Sequence, residues 1–356
     1  MYSNLFENAK EEIETTRAII RVYEELRKLE SQELDSNNLF PPFTELIKIL
    51  PTRENWTMYE HCSVVTRLYS IYESFVESLI HEWIDRLPTI VIRYSELDER
   101  IRRSHAANIG ELLSKMCNRK DGFKDESVKD TLQGLYKGIN GDLNYTLLRN
   151  AFSTHEQNLR KDILEELFRE AGIDDHCWAW VQQHSQVKKI VRDEDSAESQ
   201  LKKLVEYRNE AAHGKVSKDK SNLLKSNLLL ELCDFIETIC LSLSELVRYR
   251  TLQKQEKHNF AEEIGTVKRF YDDRKVAEIV IDKETNISVG ESIYLVRDGD
   301  DCRECQVAVI ENIRIDKSNI DKQKAILSNG MKVKLELNVI TSKNAKLYKL
   351  IEVNVD

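Results

Sequence analysis

Arg208-Asn209-Glu210-Ala211-Ala212-His213, followed at once by Gly214, groups three side-chain types that can do phosphodiester chemistry without a metal. Arginine grips a phosphate through a rigid fork of donors. Histidine takes or gives a proton near neutral pH. Asparagine adds a neutral donor and acceptor between them. No other stretch of the 356 residues brings catalytic types so close together.

The helix that carries these residues sharpens the point. At about 100° per residue, Leu201, Leu204, Val205, Arg208 and Ala212 fall on one stripe. Arg208 thus sits in an apolar face, where an unpaired charge is expensive and calls for a partner or an anionic ligand. Asn209 and His213 lie one turn apart on the flank of that stripe. The three groups can converge on a cleft at the edge of a packing surface. The same pattern also fits a structural arginine paired with an internal glutamate, with His213 satisfying the last helical carbonyls before Gly214.

Arg-Asn-x-x-x-His-Gly at a helix end resembles the signature of HEPN-superfamily ribonucleases, in which an arginine is followed at four to six residues by a histidine. Tyr72-Glu73-Ser74-Phe75-Val76-Glu77 resembles the early-helix segment of the RiboL-PSP and MAE-type HEPN-like nucleases. Asn158-Leu159-Arg160, leading into Ile163-Leu164-Glu165-Glu166-Leu167-Phe168, is similar to the middle of the same group. The resemblance spans roughly Tyr59 to Arg250. It implies a helical domain that cleaves RNA without a metal or cofactor, by attack of the substrate's own 2′-OH, giving 2′,3′-cyclic phosphate and 5′-OH ends. The implied catalytic residues are His213, Arg208 and Asn209, with Glu73 either shaping the cleft or pairing with Arg208. It also implies a homodimer with two motifs face to face, and a toxin or antiviral defence role. The alternative is a non-catalytic HEPN-like nucleic-acid-binding or scaffold protein.

The rest of the chain must position that motif. Hydrophobic residues make up 41% and charged residues 32%, and 11 Gly and 4 Pro leave room for long regular elements. Helical periodicity predicts helices over residues 1 to about 35, Phe43–Leu50, Tyr59–Ile84 (stopped by Pro88), parts of Val91–Cys117, Ser153–Glu170, Ser196–Ala212 and Ser217 to about Gln255. Ser153 to Glu156 has capping-box character. Four glycines between Arg119 and Leu143 suggest a loop-rich insertion at about 119–145. Gly172 to Asp195 reads as a connector whose Trp178 and Trp180 belong in a core or, less simply, stack an unpaired base. This gives a mainly α, HEPN-like helical domain over 1–258.

After about residue 265 the period becomes that of strands. Val276–Ile281, Ser292–Val296, Cys305–Ile315, Lys324–Leu327, Met331–Leu337 and Lys346–Val353 predict a small all-β barrel domain over 265–356, with a hairpin turn at Ser328-Asn329-Gly330. Ile287-Ser288-Val289-Gly290-Glu291-Ser292-Ile293-Tyr294 resembles the second-domain barrel of translation elongation factors. There a V-G-D-x-I turn precedes a strand, and here Glu291 stands for the aspartate. Such a barrel implies a role in recruiting RNA or a protein regulator.

Seven scattered cysteines and an N-terminus without a basic-then-apolar leader predict a cytoplasmic protein with reduced thiols. Cys302-Arg303-Glu304-Cys305 is the one CxxC, and with no second pair or nearby histidine it lacks the ligands of a zinc site. No apolar run approaches the ~20 residues that span a bilayer. A net charge of −9 argues against coating nucleic acid indiscriminately. It leaves room for local basic clusters: Arg100, Arg102 and Arg103 before His105; Lys188, Lys189, Arg192, Lys202 and Lys203 before the motif; Lys215, Lys218 and Lys220 after it. These either line an approach for an RNA backbone or form ordinary solvated faces.

Overall fold

The computed structural model describes residues 2–31, 49, 51–117, 128–140, 145–153, 155, 157–191, 196–214, 223–299, 302–315 and 323–351. The expected break at 37–42 and most of the short helix at 43–50 lie outside these residues, as do Arg192 and the lysines at 215, 218 and 220. The chain is mainly α-helical up to Lys257 and all-β from Ala261. By compactness it forms two units: Met1–Leu79 with His155–Glu166 and Gln186–Leu241, and Ile80–Thr154 with Leu167–Ser185 and Ser242–Asp356.

The helices of the described residues are α1 (Ser3–Ser31), α2 (Arg53–Ile90), α3 (Glu99–Cys117), α4 (Val128–Ile139), α5 (Asn150–Ser153), α6 (Lys161–Glu170), α7 (Cys177–Gln183), α8 (Ser185–Ile190), α9 (Ala197–Ala212) and α10 (Ser226–Lys257). In the first unit the apolar stripe of α2, Val65, Leu68, Tyr72 and Val76, is fully buried. So are Ile13 and Ile20 of α1, and Phe235, Ile236 and Ile239 of α10. Ion pairs fix the order of these helices. Arg17 of α1 meets Asp234 and Glu237 of α10, and Arg27 of α1 meets the buried Glu60 of α2 and Ser226 of α10. Breaking a buried pair of this kind by removing one partner leaves an uncompensated charge.

In the second unit, Trp83 donates its indole N–H to the Ala171 carbonyl at 2.9 Å, and Trp180 donates to Ser242 at 3.0 Å while stacking on Tyr249. Trp178 and Trp180 are both core residues, which rules out base stacking in this fold. The segment expected as a connector holds α7 and α8 instead. The helix expected from Ser153 begins only at Lys161, because Ser153 ends the short α5. Pro88 does not stop α2 at Ile84: the helix continues to Ile90. A proline there deletes one bond to the preceding turn, with little helix left to disrupt.

Helix α6 closes as expected. Ile173 N–H bonds the Phe168 carbonyl at 2.9 Å and Gly172 takes φ +64°. A Cβ at Gly172 would lie 2.5 Å from Cγ1 of Ile101. Gly172→Ala therefore combines left-handed strain with overpacking and is expected to cost about 2–4 kcal/mol. Urea denaturation should show a lower midpoint at unchanged slope, and a midpoint equal to wild type would contradict this account.

The strands are β1 (Ala261–Tyr271), β2 (Val276–Ile281), β3 (Thr285–Ser288), β4 (Ser292–Asp298), β5 (Arg303–Ile315), β6 (Lys324–Leu327), β7 (Lys332–Leu337) and β8 (Lys346–Leu350). Six of them close a barrel in the order β1-β2-β7-β5-β4-β8, all pairs antiparallel, and β3 pairs with β6 in a separate two-stranded sheet. Alternate residues fill the interior, among them Val267, Ile279, Ile293, Ile310, Leu335 and Leu347. Bulges in β1 and β5 bend the two longest strands, as closure of so small a barrel requires. Ser328-Asn329-Gly330 does form a turn, with Gly330 at φ +81°. It joins strands of different sheets, so it is not a hairpin.

The Val289-Gly290-Glu291 turn shows why glutamate serves where aspartate was expected. Gly290 has φ +85°, and Glu291 Oε2 accepts the Ser288 N–H at 2.9 Å. The longer side chain still reaches back to cap the turn.

Candidate active site

Helix α9 sets the geometry. Ser196 caps it, its hydroxyl accepting the Ser199 N–H at 3.0 Å, and Leu201, Leu204 and Val205 anchor the helix in the core. Arg208 and Asn209 follow on the same helix, half-buried, while Ala212 and His213 are exposed. The apolar stripe therefore ends one turn before the helix does. His213 is the C-cap residue. Its backbone N–H bonds the Asn209 carbonyl at 3.0 Å, and Gly214 leaves the helix at φ +64°.

Arg208 donates Nη1–H to Asn209 Oδ1 at 3.2 Å, and its guanidinium carbon lies 5.0 Å from the ring centre of Tyr69 on α2. Asn158, in the segment before α6, donates to the same Asn209 oxygen at 3.0 Å. Tyr69 accepts the Leu159 N–H at 2.9 Å and donates its own hydroxyl proton to Glu73 at 2.8 Å. Burial first, and Glu73 next, push the Tyr69 phenol well above its usual range, so it stays a donor.

One turn further along α2, Glu77 faces His155 at 3.7 Å. Burial raises the Glu77 carboxyl, the His155 ring offsets part of that rise, and the Glu73 charge adds to it.

The expected residues are thus partly assembled. Arg208 and Asn209 touch, and Glu73 belongs to the same network. Glu73 does not pair with Arg208, however: the Tyr69 ring stands beside the guanidinium, and among the described residues no carboxylate is within ion-pair distance of it. His213 stands at the helix end without a side-chain partner among those residues. Its backbone, not its ring, satisfies the helix terminus. Sequence reasoning gave no site role to Tyr69, Asn158 or His155, although the Asn158-Leu159-Arg160 segment belongs to the family resemblance. The one available signal was Tyr69 four residues before Glu73 on a buried stripe, where a phenol must find a partner.

The other candidates fall away from the chemistry. His105 is fully buried, its Nε2 accepting the Leu148 N–H at 3.2 Å. Arg100 and Arg103 are occupied by Asp175 and Glu99. Cys302 and Cys305 are buried free thiols at the start of β5, and burial pushes Cys305 up to about 12. Among the described residues no cluster of three or more His, Cys, Asp or Glu could hold a metal ion. Of the described helices, none is long and apolar enough to cross a membrane.

The helical part of the chain is a HEPN-superfamily domain, here followed by a closed β-barrel. The RiboL-PSP-HEPN family profile matches residues 17–249, and the chain belongs to that family. Membership supports a nuclease or RNA-related role. Among curated proteins none matches. Among solved structures, the selenomethionine variant of the C-terminal domain of a Geobacillus thermoleovorans protein assigned to the U32 peptidases is similar at 17% identity. It covers 25% of this chain and 99% of its own, with a TM-score of 0.21.

Proposed function

We infer that the protein is a metal-independent endoribonuclease acting as a toxin or antiviral effector. The observation that carries this reading is the Arg208 guanidinium: half-buried, oriented by Tyr69 and Asn209, and unpaired with any carboxylate among the described residues. A cation kept in that state is suited to an incoming phosphate. His213, exposed at the helix end, takes the proton from the 2′-OH or supplies one to the leaving oxygen, and water exchanges the other proton. The 2′ oxygen bonds to phosphorus, the bond to the 5′ oxygen breaks, and that oxygen leaves as a hydroxyl. Arg208 stabilises the charge that builds on the phosphate oxygens. A second copy, related by a two-fold axis, completes the groove. The barrel recruits the substrate or a protein regulator.

Purified protein incubated with single-stranded RNA in EDTA is the direct test. The expected products end in 2′,3′-cyclic phosphate and 5′-OH, and DNA of the same sequence stays intact because it lacks the 2′-OH. The exposure of His213 favours one competitor, a scaffold that binds RNA without cutting it. RNA bound but uncut in this assay would establish that reading and overturn the nuclease.

A further inference from the structure

The segment before α6 touches the motif helix and α2 through two consecutive residues. Asn158 holds the side chain of Asn209, and the backbone N–H of Leu159 holds the hydroxyl of Tyr69. The hydrogen-bond chemistry fixes the sense of each group. A guanidinium has only donors, so the Asn209 atom facing Arg208 is its oxygen. That oxygen also faces Asn158, which must therefore present its amide nitrogen. With both bonds on Oδ1, the two N–H donors of Asn209 lie on the other side of the amide, and among the described residues they have no acceptor.

Tyr69 completes the arrangement. A carboxylate beside Arg208 would neutralise it, whereas an aromatic face steadies the cation and leaves its charge available to a ligand. Glu73 is kept off Arg208 by bonding the phenol instead.

We propose that Tyr69 and Asn158 are positioning residues that set Arg208 and Asn209 as a two-pronged clamp for one phosphodiester of single-stranded RNA. The guanidinium supplies charge and the Asn209 amide supplies a neutral donor at a fixed angle. The choice of RNA as ligand rests on the nuclease reading, whereas the clamp itself requires only an anionic phosphodiester.

The test measures binding apart from cleavage. A fluorescent, fully 2′-O-methylated oligonucleotide cannot be cut by 2′-OH attack, and its affinity is read by anisotropy in EDTA. Asn158→Ala and Tyr69→Leu are each expected to weaken binding by about five- to tenfold, and each effect should shrink below about twofold when the prong it sets, Asn209 for Asn158 and Arg208 for Tyr69, is already alanine. Tyr69 is buried, so if Tyr69→Leu fails to fold, the Asn158→Ala and Asn209→Ala cycle decides alone. Equal losses with and without the prong concerned overturn the clamp, as does an oligonucleotide that binds wild type no better than Arg208→Ala. Unmodified RNA assayed in parallel separates the two readings. Coupling without cleavage keeps the clamp and removes the nuclease; cleavage without coupling does the reverse.

Discussion

His213→Ala is expected to lower RNA cleavage by about 10²–10⁴-fold while leaving the fold and RNA binding nearly untouched. The structure makes this substitution unusually clean. His213 is exposed, and its ring has no partner among the described residues that the change would strand. The bonds that end the helix are made by backbone groups, His213 N–H to Asn209 and Gly214 N–H to Ala211, and alanine keeps both. Stability should therefore move by less than about 0.5 kcal/mol, as for other surface positions. Rate and stability dissociate at this residue, and that dissociation is the signature of a catalytic group. Single-turnover cleavage in EDTA, with thermal melts on the same samples, measures both. Activity within about threefold of wild type would remove His213 from the chemistry. Arg208→Lys provides the contrast, because lysine keeps the charge but lacks the planar fork that faces both Tyr69 and Asn209.

The elements that carry the motif could be read from the chain because their signals are local. Ser196 announces the start of α9, Leu201, Leu204 and Val205 its buried face, and Gly214 its end. What escaped the reading depends on distant partners. Asn158 meets Asn209 across 51 positions and Tyr69 meets Leu159 across 90, so no local pattern names either partner. The glycines of the expected insertion misled for a related reason. Gly134 and Gly138 lie inside α4, where a Cβ would come within 3.3 Å of the Thr146 carbonyl and 2.9 Å of the Tyr94 ring. They permit close packing of a helix and do not mark turns. Strand β1 was missed because Glu262, Glu263 and Gly265 break the alternation just where its bulge falls. The barrel was legible nonetheless, since β2 and β7 keep their alternation and share one interior.

Mild acid should destabilise the fold between about pH 6.5 and pH 4, beginning well above the range in which ordinary carboxylates titrate. Burial holds His61, His81 and His105 down at about 4 each, with Arg149 adding to the effect at His81. The bonds explain why these rings stay neutral. His105 Nε2 accepts the Leu148 N–H, and His61 Nδ1 accepts the Leu224 N–H, so each needs a free lone pair at that atom. Protonation would set a donor against a donor in the core. Below pH 6.5 the unfolded chain takes up protons at these sites while the folded chain does not, so folding loses ground until the folded groups titrate near pH 4. The stability they contribute is whole above pH 6.5, falls by roughly 3 kcal/mol per histidine across the window, and falls no further below it on their account. Thermal midpoints in low-salt buffers from pH 7.5 to pH 4 should drop steeply, and His105→Gln, which keeps an acceptor but cannot titrate there, should flatten the slope by about a third. A midpoint constant down to pH 5, or a slope that His105→Gln leaves unchanged, would show that the buried imidazoles are not what the fold spends its stability to keep neutral.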